Sequence, residues 1–177
     1  LEGEQATIRE LAGIAGVSEG VLRGLVNQGV LEPVLVDCDR PYPSARADFS
    51  VPVLNSAQSE ASKHIISAVE GRQFAPFLLD GVTGSGKTEV YLEAVAKSLE
   101  MDRQTLVLLP EIALTEAFLR RFEDRFGTPP VVWHSSLKST ERRRAWRAIA
   151  AGEAQVVVGA RSALFLPYAN LGLIVVD

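Results

Sequence analysis

Short apolar runs alternate with longer amphipathic stretches over the last two thirds of the chain. Five runs have the length and composition of buried strands: FLLD (77–80), TLVLLP (105–110), VVW (131–133), VVVG (156–159) and LIVVD (173–177). Segments with helical periodicity lie between them, at 87–101, 114–126 and 140–151. Strands that alternate with helices pair in parallel through right-handed crossovers. The pattern therefore predicts an α/β domain built on a parallel sheet.

A further helix is predicted ahead of the first strand, over residues 55–71. The segment NSAQSEASKHIISAVEG opens on Asn55, has Gln58 three residues later as in a capping box, and closes on Gly71. Before it, residues 41–54 carry three prolines and little periodicity, which predicts a linker. The α/β domain is therefore expected to occupy residues 55–177.

The first 40 residues predict a small separate module. Apolar residues recur with helical spacing in two sets, which are Ile8, Leu11 and Ile14, and Val21, Leu22, Leu25 and Val26. Gly16 separates the two sets, and Ser18 is a residue type that starts helices well. The run VLEPVLV (30–36) then predicts an edge strand, where a proline is tolerated. Helix, turn, helix and strand together predict a winged-helix module over residues 1–40.

Composition excludes several classes of protein. With 47% hydrophobic residues, a chain of 177 residues has enough apolar side chains for a packed domain plus a small module. No apolar run approaches the ~20 residues of a membrane helix, and the beginning lacks a signal-peptide pattern. The single cysteine, Cys38, forms no internal disulfide, which fits a reducing compartment. We expect a cytoplasmic protein with no membrane partner, and the lack of a first methionine indicates a cut or processed end.

The net charge of −4 is concentrated in the first module. Residues 1–40 hold three arginines and seven acidic residues, whereas basic and acidic residues balance in the rest of the chain. Modules that bind DNA normally carry a basic surface. We therefore expect this module to bind DNA poorly by itself, and to orient domains or contact protein instead.

The segment GVTGSGKT (81–88) carries the clearest chemistry. It matches the pattern G-x-x-x-x-G-K-[ST], and it lies between a predicted strand and a predicted helix. Glycines let backbone N–H groups converge on phosphate oxygens, and the helix directs its positive end at the same anion. A lysine adds charge for the β- and γ-phosphates, and a threonine hydroxyl suits Mg²⁺. The residues predicted to bind ATP here are Gly81, Thr83, Gly84, Ser85, Gly86, Lys87 and Thr88.

Two residues far from this loop complete the predicted site. Asp177 follows four apolar residues, and a strand-end aspartate of this kind holds Mg²⁺ in P-loop proteins. Lys87 and Asp177 are therefore the predicted catalytic residues, and Thr88 and Asp177 the predicted metal ligands. Gln58 has a side-chain amide that suits an adenine edge, although capping of its own helix explains it equally well.

Three further segments follow predicted strands, at the edge where open parallel sheets place their ligands. They contain Pro110 and Thr115, then Ser135, then Arg161 and Ser162, which we predict to contact nucleic acid. The helix TERRRAWRAIA (140–150) is basic, which indicates a solvated surface or part of a nucleic-acid track. Trp146 and Ile149 are predicted to form its core face.

These segments together resemble one family. LDGVTGSGKTEVYLEAV, LVLLPEIALT, HSSLKSTERRRAW and VVVGARSALFLPYANLGLIVVD are similar to the first RecA-like lobe of the primosomal replication-restart helicases (the primosomal protein N' family), which are superfamily 2 DNA helicases. LNSAQSEA matches the family's adenine-sensing motif, with Gln58 as the reader. Residues 5–36 are similar to the winged-helix module that precedes this lobe.

The resemblance implies an ATP-dependent enzyme that unwinds DNA from 3' to 5' and helps to reload the replicative helicase. It implies forked or single-stranded DNA, primosome proteins and single-strand-binding proteins as partners. The family's second lobe, its zinc-binding insertion and the glutamate that follows the metal-binding aspartate have no counterpart in the sequence. The expectation is a fragment of the helicase, truncated at Asp177, that binds ATP and Mg²⁺ but hydrolyses ATP poorly and contains no zinc site.

Two other functions remain open from the residues alone. A small P-loop kinase would share the phosphate-binding loop, but it also needs an acceptor pocket and a lid, and no lid-like arginine segment follows the core strands. A helix-turn-helix regulator with a degenerate second domain would account for the first module, although the acidic balance of residues 1–40 disfavours it.

Overall fold

The computed structural model describes residues 6–33, 42–110 and 116–177. The chain divides into two compact units, Leu1–Asp39 and Arg40–Asp177. None of the helices in the described ranges combines the length and the apolar character needed to cross a bilayer.

Within residues 6–33, the described part of the first unit, the chain forms two helices, α1 (Ile8–Ala15) and α2 (Glu19–Asn27). Thr7 and Glu10 form a capping box at the start of α1, and Gly16 ends this helix in the left-handed conformation that glycine adopts readily. Ser18 precedes α2 as its N-cap residue, as the sequence predicts. The predicted strand at 30–36 lies partly outside the described residues, so the winged-helix assignment stays a prediction.

The second unit is an α/β domain with a parallel sheet of RecA-like type, as predicted, and four of the five predicted strands form the sheet described here. Its helices are α3 (Ser56–Glu70), α4 (Lys87–Glu100), α5 (Glu116–Phe126) and α6 (Ser139–Ala150), with a 3₁₀ helix at Arg161–Phe165. Its strands are β1 (Gln104–Leu108), β2 (Val131–Trp133), β3 (Val156–Gly159) and β4 (Leu171–Val176). The strand order is β2-β3-β1-β4, and each described pair is parallel.

The two central strands are apolar on both faces because helices cover both faces of the sheet. On one face, Val107 and Val158 pack in a cluster with residues of α4 and α5, including Val95 and Phe122. On the other face, their neighbours along the strands, Leu106 and Val157, pack against Ile149 and other residues of α6. The alternation of side chains along a strand therefore divides continuous apolar runs between two cores.

The predicted strand FLLD (77–80) is not a strand in the structure. Residues 77–80 pair with none of the described strands, and Phe77 and Leu78 expose 49% and 94% of their surface. A strand is stable only when a neighbouring strand makes its backbone hydrogen bonds, and none of the described strands does so for residues 77–80. The apolar composition of this segment was therefore not enough to place it in the sheet.

Residues 42–49, which the sequence places in a linker, pack against the α/β domain. The backbone N–H of Ala45 donates to Gln155 Oε1 at 3.1 Å, and Ala45 and Ala47 adjoin the apolar cluster under α4 and α5. The ring of Phe49 lies so close to Gly127 that a Cβ on Gly127 would be 2.8 Å from it. This part of the predicted linker thus contributes to the packing of the second unit.

Candidate nucleotide-binding site

The loop at 81–88 forms a tight turn that leads directly into α4. The N–H of Ser85 donates to the carbonyl of Val82 at 3.1 Å, which closes the turn. Gly84 and Gly86 both have φ of 83°, a conformation that residues with a Cβ rarely adopt. Helix α4 begins at Lys87, so the unpaired N–H groups of its first turn lie at this loop. Gly84 and Gly86 therefore have the unusual backbone conformation that the motif predicts, and their contact with phosphate stays a prediction.

The side chain of Lys87 folds back over the loop that precedes it. Its Nζ donates to the carbonyl oxygens of Gly81 at 2.6 Å and Val82 at 3.2 Å. These two bonds hold the ammonium group beside the turn rather than in open solvent. A positive charge is thus in place where the loop would receive an anion.

Gln58 joins α3 to the same loop. Its Oε1 accepts from the N–H of Asn55 at 3.0 Å, which completes the predicted capping box at the start of α3. Its Nε2 donates to the carbonyl of Ser85 at 2.9 Å. A Cβ on Gly86 would contact this nitrogen and displace the side chain of Gln58, in addition to the strain that a φ of 83° imposes on other residues. The capping interpretation is confirmed, and reading of adenine by Gln58 stays a prediction.

Asp177 lies next to the end of β4 and is connected to α4 through Tyr91. The N–H of Asp177 donates to the carbonyl of Leu108, and its Oδ2 accepts from Tyr91 Oη at 2.9 Å. Thr88 lies three residues before Tyr91 on α4, so the two side chains share one face of that helix. Burial, followed by the bond to Asp177, raises the pKa of Tyr91 above its ordinary value, so the phenol remains a donor. The predicted metal ligand Asp177 is therefore held by a residue of α4, the helix that also carries Thr88.

The residues present fit a phosphate group and Mg²⁺. An added Cβ at Gly84 would meet no atom within 4 Å, so the loop has open space on that side. A threonine hydroxyl and a carboxylate are the hard oxygen donors that Mg²⁺ prefers. Among the described residues, no group of three or more His, Cys, Asp and Glu side chains is arranged to hold a metal. A metal here would thus take most of its ligands from phosphate and water.

Tyr91 is a site residue that sequence reasoning missed. It is buried in the apolar cluster under α4, and only its hydroxyl reaches Asp177. Its spacing of three residues from Thr88 places both on one face of α4, which was the available signal. The partner Asp177 is 86 residues away along the chain, so the contact itself was not readable from the pattern.

The residues predicted to contact nucleic acid lie past the ends of strands. Those that the structure describes lie at the same edge of the sheet. The N–H of Ala160 donates to the carbonyl of Trp133, and the N–H of Leu109 to that of Gly159, which brings the ends of three strands together. The predicted residues Pro110, Ser135, Arg161 and Ser162 are all exposed. Thr115 lies outside the described residues.

A phosphate-binding loop before a helix, with an aspartate at a strand end of a parallel sheet, defines a P-loop protein with a RecA-like lobe. The chain belongs to the DEAD/DEAH box helicase family, whose model matches residues 55–177.

The most informative relatives are replication restart proteins. Replication restart protein PriA of Bacillus subtilis is 38% identical over 99% of this chain and 22% of that protein. PriA of Rickettsia typhi is 43% identical over 73% of this chain and 19% of its own length. PriA of Chlamydia pneumoniae is 38% identical over 92% of this chain and 22% of its own length. The resemblance to replication-restart helicases is confirmed, and the chain spans about a fifth of the length of these relatives.

Proposed function

We propose that this chain is the ATP-binding part of a DNA helicase that acts in replication restart. The observation that carries the proposal is the connected site at the start of α4. Lys87 lies folded onto the phosphate-binding loop, and Tyr91 joins α4, the helix that carries Thr88, to Asp177. A P-loop, a hydroxyl and a carboxylate are the groups with which P-loop enzymes hold a nucleoside triphosphate and its metal.

The residues of the site have separable roles. The N–H groups around Gly84 and Gly86 bind phosphate oxygens, and the N-terminal end of α4 favours the same negative charge. Lys87 Nζ exchanges its carbonyl partners for the β- and γ-phosphates. Thr88 and Asp177 hold Mg²⁺, which, when bound, neutralises phosphate charge. Gln58 keeps the loop next to α3 through Ser85, and contacts the adenine edge with its remaining hydrogen-bonding capacity.

The wider activity is proposed from the relatives. We propose 3'-to-5' unwinding of forked or single-stranded DNA in the cytoplasm, in partnership with primosome and single-strand-binding proteins. The exposed strand-end residues Pro110, Ser135, Arg161 and Ser162, together with Thr115, contact the DNA backbone. A second helicase lobe would supply the remaining groups for hydrolysis.

Direct titration tests nucleotide binding. A fluorescent ATP analogue is titrated into the 177-residue chain with and without Mg²⁺, and its anisotropy is measured. We expect saturable binding that excess ATP displaces and that Mg²⁺ strengthens, because Thr88 and Asp177 act only through the metal. Binding that is equal for ATP and inorganic sulfate would contradict a nucleotide site.

Hydrolysis of ATP by this chain alone is expected to be slow. Lys87 and Asp177 serve phosphate and metal binding, and an arginine supplied from elsewhere adds about 10³- to 10⁵-fold to the rate of related phosphoryl transfers. Phosphate release is measured with and without single-stranded DNA. Rapid, DNA-stimulated release that disappears in Lys87→Ala would show that the chain needs no further groups.

Tyr91→Phe is expected to weaken the Mg²⁺-dependent part of nucleotide binding about 10-fold, as is typical when a partner of a metal ligand is removed. Binding of ATP without metal should be unchanged, because the phenol donates to Asp177, which acts only through the metal. The measurement is Mg²⁺ titration at fixed nucleotide. Tyr168→Phe is the matched control, since it removes a phenol that donates to the Ala163 carbonyl at 2.9 Å. If Tyr91→Phe and Tyr168→Phe changed Mg²⁺-dependent binding equally, Tyr91 would have no specific role in the site.

A further inference from the structure

A groove lies along the first half of α6, where β2 leads into this helix. It has a volume of about 490 Å³, and its lining includes Trp133, Ser135, Leu137, Arg142, Arg143 and Trp146. The chain has two tryptophans, and both line this groove. The sequence pattern pointed to Ser135 as a nucleic-acid contact on this surface, and left the basic helix at 140–150 open as a solvated surface or part of a nucleic-acid track.

The position of Trp146 corrects an expectation from the sequence. The pattern of α6 places Trp146 and Ile149 together on the core face, but Ile149 is 0% exposed and Trp146 is 48% exposed. The core positions of α6 are Ala145, Ala148 and Ile149. An indole at the margin of this face keeps one side open to solvent, and large exposed aromatic surfaces are typical of binding sites.

Two guanidinium groups stand beside the open indole. Arg142 is fixed in place, because its Nη2 donates to the Ser135 carbonyl at 2.9 Å and its guanidinium lies 5.6 Å from the centre of the Trp133 ring. Arg143 is exposed and has neither a hydrogen bond nor an ion pair with any described residue. The acidic residue next to them, Glu141, accepts from the N–H of Lys138 at the start of α6. The groove thus combines positive charge with aromatic surface.

We propose that this groove binds a segment of single-stranded nucleic acid, with one base stacked on Trp146 and an adjacent phosphate held by Arg143. The inference rests on the DNA-binding part of the proposed function. A polyanion with flat apolar bases matches both features of the groove, since stacking on aromatic rings and basic grooves together bind single strands without sequence preference. The groove is continuous with the strand-end loop of Ser135, so a strand that follows this edge of the sheet reaches it directly.

The stacking contact is distinct from the phosphate contacts proposed for the strand-end loops. A contact to phosphate alone would be insensitive to removal of the bases. A contact to Trp146 requires them, and it changes the environment of the indole. Tryptophan emission can therefore distinguish stacking on Trp146 from contacts to phosphate alone.

The test is tryptophan emission of the 177-residue chain during titration with an oligo-dT strand at low salt. Binding is measured in parallel by anisotropy of the labelled strand. We expect oligo-dT to quench the emission and an abasic strand of equal length to bind more weakly without quenching. Trp133→Phe should retain the quenching, because Trp146 remains, whereas Trp146→Phe should lose most of it while keeping part of the affinity.

Two truncations measure the individual contacts. Trp146→Ala is expected to lower affinity for oligo-dT about 10-fold, within the range that single stacking contacts give. Arg143→Ala should lower affinity and reduce the salt dependence by about one ion. Arg120→Ala is the control, since it removes an exposed arginine on α5 that is paired with Glu116, and it should change neither quantity. Circular dichroism checks that each variant is folded.

Three results would overturn the inference. Oligo-dT that binds by anisotropy without any change in emission would place the strand elsewhere, and would leave the DNA-binding part of the proposed function intact. Equal quenching by polyglutamate or polyphosphate would show a general anion site. If the chain bound no strand at all, both the proposed groove site and the DNA-binding part of the proposed function would be wrong. The ATP-binding part would still be tested separately by the ATP titration.

Discussion

Lys87→Ala is expected to weaken binding of MgATP by roughly 30- to 100-fold. A hydrogen bond to a charged group contributes about 1.5–3 kcal/mol, and 1.4 kcal/mol corresponds to a tenfold change in affinity. Lys87 makes such bonds already with the carbonyls of Gly81 and Val82, so its ammonium group is held at the loop before a nucleotide arrives. The variant loses both the charge and this arrangement. Anisotropy titration with the fluorescent ATP analogue measures the change.

Lys97→Ala is the matched control for this prediction. Lys97 lies on the same helix, ten positions further on, and pairs with Glu70 and Glu100 at the surface. Ion pairs of this kind contribute about 0–1 kcal/mol, so its removal should leave nucleotide affinity unchanged. A Lys87→Ala chain that binds MgATP as tightly as the Lys97→Ala chain would refute the proposed site. Both variants should unfold at similar urea concentrations.

Arg125→Ala is expected to destabilise the second unit by about 3–5 kcal/mol. Arg125 lies on α5 with only 5% of its side chain exposed, and it pairs with Glu93 at 2.9 Å. It also donates to the carbonyl of Ala47 at 2.7 Å and lies 4.8 Å from the centre of the Phe126 ring. Removing one partner of a buried ion pair leaves the other charge uncompensated, which costs this amount. Urea unfolding measures the loss, which is a large fraction of ordinary domain stability.

Two further variants distinguish the loss of stability caused by an unpaired buried charge from that caused by any arginine substitution on α5. Arg120→Ala removes an arginine of the same helix whose side chain is 76% exposed, and it should cost no more than about 1 kcal/mol. Arg125→Met combined with Glu93→Leu leaves no unpaired charge, so it should be more stable than Arg125→Ala. Faster proteolysis near residues 42–49 in Arg125→Ala would be expected, because their contact with Arg125 is lost. An Arg125→Ala chain as stable as Arg120→Ala would show that the pair does not hold the fold together.

Local patterns were enough to predict most elements of the second unit. The capping box of Asn55 and Gln58 starts α3 at its predicted place, and the strands at 131–133 and 156–159 have the predicted bounds. The motif at 81–88 predicted a tight glycine turn before a helix, and Gly84 and Gly86 there have the backbone conformation that other residues avoid. These features depend on interactions within a few residues, so the sequence contains the information that decides them.

Other features depended on which distant segments meet. Residues 77–80 are as apolar as a strand, but strand formation needs a neighbour to accept and donate backbone hydrogen bonds, and no described strand does so. Trp146 has the spacing of a core residue, yet the sheet beneath α6 is covered by smaller side chains and leaves it half exposed. Helical period alone cannot show where the margin of a buried face falls.

The sequence by itself determined the class of the fold and the chemistry of the loop, because periodicity, capping and glycine conformations act over short distances along the chain. Only the tertiary structure decided that Tyr91 bonds to Asp177, that Arg125 joins α5 to residues 42–49, and that two tryptophans and two arginines share one groove. Each of these contacts joins positions whose proximity is set by the packing of helices on the sheet. The pattern of residue types along the chain does not show which distant positions this packing brings into contact.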